Sequence, residues 1–227
     1  MTAEEASIQQ YNVHICRKGN LVYLASLKAA STFYITLLLS NGWDTITFDS
    51  IDWTTDHVFG FISEPVARYI KAVTEDFFNE EIYIEETEEI IPDVEFQDLL
   101  TKILSKHKTQ CLVLTHHSLP LSVTLGDYVK KVDWIPLSDD IPSDKLFTKL
   151  CEKYTITLDY TSENIDHHVS NGYKVSIFDE LRSLFGEGNY FRDMVLAKDI
   201  DLYNDVKSKI NVNGKTWDEI SWIRNQK

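Results

Sequence analysis

Residues 21–42, LVYLASLKAASTFYITLLLSNG, constrain the fold of this chain more than any other stretch. They open on an apolar run, Leu21-Val22-Tyr23-Leu24, that reads as a buried strand. A short connection follows, Ala25 to Ala30, with one charge at Lys28. Ser31 and Thr32 then lead an apolar segment that stops near Asn41-Gly42, which predicts a helix with an Asn/Gly stop. Strand, loop with a lysine, hydroxyl pair and helix make up the plan of a phosphate site. The first helical turn leaves backbone N–H groups unpaired, and the helix dipole favours an anion there. Lys28 adds a point charge and the hydroxyls add donors. Against this stand two blander readings, Ser31 and Thr32 as helix caps and Lys28 as a solvated charge. The glycine-rich pattern GxxxxGKS/T is absent, since no glycine lies between Gly19 and Gly42.

The remaining chain supplies more strands and helices of the same kind. Residues 45–48 read as a second short strand, and His57 to Ile62 (HVFGFI) as another buried one. Ser63-Glu64-Pro65 opens a helix, Val66 to about Asn79, that carries Arg68 and Lys71 on neighbouring positions of one face. Gln110 to Thr115 (QCLVLT) is a further buried strand, running into His116-His117-Ser118-Leu119-Pro120. Open α/β sheets place ligands at the carboxyl ends of such strands, and adjacent residues point to opposite faces, so at most one of the two histidines faces a given cleft. Lys131 to Leu137 is a fourth strong strand candidate, followed by a helix from Ser143 to Tyr154. Residues 176–185 and 197–210 carry helical periodicity, and the part from about 174 to 227 reads as helical throughout. The pattern predicts one α/β domain over 1–227, a mostly parallel sheet flanked by helices on both sides.

Charge sets bounds on partners. The chain has 36 Asp and Glu against 22 Lys and Arg in 227 residues, a net −14, which repels polyanions and argues against nucleic acid. Residues 74–98 hold eleven carboxylates, and no Lys or Arg stands between Lys71 and Lys102; residues 80–93 read as an acidic loop or insertion. Cys16, Cys111 and Cys151 are odd in number and far apart, which suits buried thiols in a reducing compartment. There is no run of 18 apolar residues and no secretory signal, so the expectation is a soluble cytoplasmic protein without a membrane partner. The pairs His116-His117 and His167-His168 lack metal-ligand spacing, and no metal is expected.

Three segments in this order resemble the sulfotransferase family. Lys28-Ala29-Ala30-Ser31-Thr32 after a strand resembles its 5′-phosphosulfate loop. Phe61-Ile62-Ser63-Glu64-Pro65-Val66-Ala67-Arg68-Tyr69 is similar to its 3′-phosphate segment, F-V-R-D-P-x-x-R-F-x-S-x-Y, with Ser63 at the first arginine and Lys71 at the later serine. His117, three residues before Pro120, matches the histidine of its His-Trp-x-Pro-Gln pattern, with Ser118 in place of the tryptophan. Weaker likenesses follow at 132–154 and in the helix 197–210, so the resemblance covers about residues 20–206.

The resemblance implies a P-loop-containing fold and a sulfotransferase that moves a sulfuryl group from 3′-phosphoadenosine 5′-phosphosulfate (PAPS) to a hydroxyl or amine, without a metal. It implies that Lys28 stabilises the departing phosphate, that 29–32 hold the 5′-phosphate, and that His117 takes the acceptor's proton. Ser63, Arg68 and Lys71 would face the 3′-phosphate, and Ser170, in the loop 159–173, would close over the nucleotide. The acceptor implied by the acidic balance is a small molecule or a neutral glycan or peptide. A small-molecule kinase and a catalytically silent nucleotide binder on the same fold are the rival readings.

Overall fold

The computed structural model describes residues 14–72, 118–138, 141, 143–160, 182 and 188–211. The expected acidic loop 80–93, the strand at 110–115, both histidine pairs, Ser170, the helix at 176–185 and the tail beyond 211 lie outside the described residues.

The sheet starts with a strand that the sequence pattern does not announce. β1 (Ile15–Lys18) turns back into β2 (Leu21–Leu24) through Gly19-Asn20, pairing Lys18 with Leu21 and Ile15 with Leu24. Gly19 has a φ of +60°, the backbone sign that a two-residue hairpin turn demands and that a side chain resists. Helix α1 (Ser31–Ser40) follows β2, and β3 (Asp44–Ile46) then pairs antiparallel with the other edge of β1. β4 (His57–Ser63) lies parallel to β2 and leads past Glu64 into helix α2 over 65–72, with Pro65 at its first position. Further on come the short helix α3 (Leu121–Thr124), a 3₁₀ segment (Gly126–Lys131) and β5 (Asp133–Leu137), parallel to β4. Helices α4 (Ser143–Lys153), α5 (Tyr190–Met194) and α6 (Ala197–Asn211) complete the described elements.

The strand order is β3-β1-β2-β4-β5. This corrects the expected mostly parallel sheet to a mixed one. β2, β4 and β5 run parallel, while β1 is antiparallel to both of its neighbours. The physical cause is the tight Gly19 turn, which can only join antiparallel strands.

The described residues divide into two compact units. Those within 14–64, 121–160 and 198–211 form one, and those within 65–72, 118–120 and 182–197 the other. The first unit holds every described strand of the sheet, and period-two alternation sends their side chains to opposite faces. Leu21, Tyr23, Phe59, Phe61 and Ile135 join one core with Tyr34, Leu37 and Leu38 of α1 and Leu146, Phe147 and Leu150 of α4. Val22, Leu24, Val58, Ile62 and Trp134 join a second core with Leu121, Leu125 and Val129. Helix α6 serves both, with Tyr203 in the second core, Ile210 in the first and Val206 touching each. The sheet is therefore covered on both faces, as an α/β fold requires.

Gly60 marks the tightest point of this packing. A β-carbon there would stand 2.7 Å from the Leu24 carbonyl oxygen and 2.7 Å from the Trp134 ring. That ring is pinned by its own hydrogen bond, Trp134 Nε1 to the Val129 carbonyl at 2.8 Å. At the start of α3 the buried Asp199 carboxylate accepts the N–H groups of Leu121 (2.6 Å) and Ser122 (2.9 Å), which ties α6 to that turn. In the second unit Asn189 Oδ1 accepts the Arg192 N–H, and Asp193 Oδ2 accepts the Gly188 N–H, closing the first turn of α5. Among the described residues no helix is long and apolar enough to cross a membrane.

Candidate anion-binding loop

The loop between β2 and α1 lies where a parallel strand delivers the chain, by its carboxyl end, to a helix N-terminus. The Ala25 N–H donates to the His14 carbonyl at 2.9 Å, extending the β1–β2 ladder by one step. Ser26 is buried, and its carbonyl accepts the Ala29 N–H at 3.2 Å, so residues 26–29 turn tightly. Lys28 (φ 60°) and Ala30 (φ 54°, ψ 27°) both adopt the left-handed conformation. Glycine takes that conformation freely, whereas any other L residue gives up roughly 1–2 kcal/mol. The loop thus makes two left-handed turns without glycine, at a cost in backbone strain.

Helix α1 begins with Ala30 as its N-cap, and no side-chain hydrogen bond caps it. Ser31 and Thr32 occupy the first two helical positions, so the alternative that they act as side-chain caps does not hold. The first turn itself contributes no acidic residue at its positive dipole end. Ala29 is buried in the first core and anchors the loop, while Ala30 and Thr32 are exposed and Lys28 and Ser31 half-buried. Ser63, the last residue of β4, places its hydroxyl 3.4 Å from the Lys28 carbonyl oxygen, a long contact that brings the two neighbouring strand ends together.

The other residues singled out in the sequence are distributed differently. Arg68 is buried in the second unit, and its Nη2 donates to the Leu119 carbonyl at 2.8 Å. Lys71, three residues on, is exposed, so the two cations occupy contrasting environments on one helix. His117 and Ser170 lie outside the described residues. The structure therefore brings Lys28, Ala29, Ala30, Ser31, Thr32 and Ser63 together, and describes Arg68 and Lys71 within the other unit.

Two features near the sheet ends were not singled out by sequence. Ser26 Oγ is buried and has no hydrogen-bond partner among the described residues. The only signal for it was a hydroxyl directly after an apolar strand. At the opposite end of the parallel strands, His57 Nδ1 lies 2.7 Å from the Tyr154 hydroxyl and Nε2 2.9 Å from Asp133 Oδ2. The second approach is short but misses hydrogen-bond alignment. This chain ties the start of β4 and β5 to the end of α4, at the end of the strands opposite to the loop.

No family model, no curated protein and no solved structure matches this chain.

Proposed function

We propose that the loop 25–32 holds a phosphate or sulfate oxyanion and that the protein is a PAPS-dependent sulfotransferase. The observation that carries this reading is the pair of left-handed, non-glycine residues, Lys28 and Ala30, at an uncapped helix N-terminus beyond a parallel strand. Strained backbone of this sort persists where the surrounding structure over-determines it, and it clusters at functional sites. A buried hydroxyl without a partner among the described residues, as at Ser26, adds a further cost of about 1–3 kcal/mol. An anion bound by the N–H groups of 30–32 offsets the backbone strain.

In this reading the 5′-phosphosulfate lies against the first turn of α1, with Ser31 and Thr32 donating to its oxygens. As the sulfuryl group leaves, negative charge builds on the phosphate oxygen it departs from, and the Lys28 ammonium stabilises that charge. The acceptor hydroxyl or amine attacks sulfur in line and gives its proton to His117, a task for a group that titrates near neutrality. The direct test incubates the protein with ³⁵S-labelled donor and a panel of neutral and cationic small-molecule acceptors. Label on an acceptor, reduced roughly 100-fold or more by His117→Ala, fits the reading. Absence of transfer to every acceptor while the donor still binds favours the silent binder.

One observation favours that second reading specifically. Arg68 is buried and donates to a main-chain carbonyl, and Ser63 stands where the resemblance calls for an arginine. Lys71, which the resemblance sets at the family's later serine, is the exposed cation of α2. Calorimetry with adenosine 3′,5′-bisphosphate and with AMP decides. A preference of about 10- to 100-fold for the bisphosphate, lost in Lys71→Ala, is the size of one charge-assisted contact. Equal affinity for both means that the 3′-phosphate is not read, and favours a binder of plain nucleotides.

A further inference from the structure

At the end of the parallel strands opposite to the loop, three aromatic rings pack against one another, and a cation rests on two of them. Phe48 and Trp53 come from the segment entering β4, and Tyr128 from the 3₁₀ segment entering β5. Their ring centroids are 5.6 Å apart for Phe48–Trp53, 5.1 Å for Phe48–Tyr128 and 4.9 Å for Trp53–Tyr128. Phe48 meets Tyr128 edge-on, at 89°, whereas Tyr128 and Trp53 incline to each other by only 36°. Lys131 places its Nζ 4.7 Å from the Tyr128 centroid and 5.6 Å from that of Trp53.

Phe48 is buried and acts as the floor, while Trp53 and Tyr128 are half-buried and Lys131 is exposed. Each ring has an aspartate as its immediate neighbour in the chain, Asp49, Asp52 and Asp127, and all three are exposed. The Thr54 hydroxyl and N–H hold the Asp52 carboxyl down at about 2, so it is charged at any working pH. Faces of electron-rich rings attract a cation, and here a cation of the chain itself rests on those of Trp53 and Tyr128.

We propose that this cluster is a binding site for a small quaternary ammonium ion, with Lys131 as a tethered competitor that covers the rings in the free protein. The chemistry distinguishes the two cations. A primary ammonium keeps three N–H donors that water solvates, so Lys131 gains little by leaving water for the rings. A quaternary ammonium has no N–H to solvate and presents methyl groups to both the Trp53 and the Tyr128 ring, which makes it the better partner. Trp53 and Tyr128 offer two adjoining, half-buried rings, and the chain's net charge of −14 draws cations towards them. The cluster shares no residue with the loop 25–32, so the proposal stands independently of sulfuryl transfer.

The test uses the full chain with ¹⁵N-labelled tryptophan, its Trp53 indole signal assigned through Trp53→Phe. Tetramethylammonium chloride is titrated against equal sodium chloride and against the neutral isostere neopentyl alcohol. The expected result is a saturable shift of the Trp53 signal with tetramethylammonium only, and a Kd roughly 2- to 5-fold tighter in Lys131→Ala, the factor one exposed cation–π contact represents. Lys131 is exposed, so this variant keeps the fold, as unchanged remaining indole signals will show. A Trp53 signal that responds no more to tetramethylammonium than to sodium or to the neutral isostere overturns the site. Equal affinity in wild type and Lys131→Ala overturns the competitor role.

Discussion

The Tyr34 hydroxyl donates to Asp144 Oδ1 at 2.8 Å, joining the first turn of α1 to the first turn of α4. The same ring stacks on Phe61 at 3.7 Å and meets Phe147 edge-on, so one side chain connects both helices to the sheet. Burial, then the Asp144 carboxylate, raises the Tyr34 phenol above its ordinary value. Replacing Tyr34 by Phe keeps the stacking and removes only the bond. The expected loss is about 1–2 kcal/mol in urea unfolding, as for a hydrogen bond to a charged group that is partly exposed. No loss would mean that the two helices are held by packing alone.

Tyr23 predicts the reverse. Its ring is fully buried between Phe59, Phe61 and Tyr34, yet its hydroxyl has no partner among the described residues. Tyr23→Phe relieves that unpaired group while conserving the ring, and should raise stability by about 1 kcal/mol. A destabilised variant would show that the hydroxyl is paired in solution.

Gly60→Ala places a methyl group against a backbone carbonyl and a ring that is already hydrogen-bonded in place. Neither neighbour can yield without moving β2 or Trp134. Stability should fall by roughly 1–3 kcal/mol, the usual cost of overpacking, with a shift in Trp134 fluorescence. An unchanged urea midpoint would contradict the tight approach of these strands.

Alkali should unfold the protein in a definite window. Burial pushes the Cys16 thiol from near 9 up to about 11 and the Cys151 thiol up to about 12, and raises the buried phenols Tyr23 and Tyr69 as well. Because the folded values lie above the unfolded ones, the folded state keeps protons that the unfolded chain releases. The stabilisation is fully present below pH 9 and is lost as pH rises towards 12. Urea unfolding at pH 8 and at pH 10.5, under reducing conditions, should differ by on the order of 2–4 kcal/mol. A flat profile over that range would mean that the thiols ionise freely in the fold.

The elements legible in the sequence were those with a dense apolar run and a clear stop. β2, α1, β4, β5 and α4 stand within a residue or two of their expected places, as does α6. β1 was not legible because half of it is charged, and the partners of those charges are tertiary. Arg17 pairs with Asp56 and donates to the Ser50 carbonyl, and Lys18 donates to the Asn41 carbonyl at 2.6 Å. The second expected strand shortens to Asp44–Ile46 because Phe48 leaves it to turn into the core. At the candidate site the strand–loop–helix order could be read, but its left-handed Lys28 and Ala30 could not. Neither residue type prefers that backbone, so the surrounding packing imposes it.

Donor binding without metal tests the central claim most directly. Isothermal titration of the full chain with adenosine 3′,5′-bisphosphate in the presence of EDTA should give saturable one-to-one binding. Lys28→Ala should weaken it about 10-fold or more, because a charge-assisted contact to phosphate contributes roughly 1.5–3 kcal/mol, and should leave the urea midpoint unchanged. Absence of binding to the wild-type chain, or equal affinity in wild type and Lys28→Ala, would contradict an oxyanion site on the loop between β2 and α1.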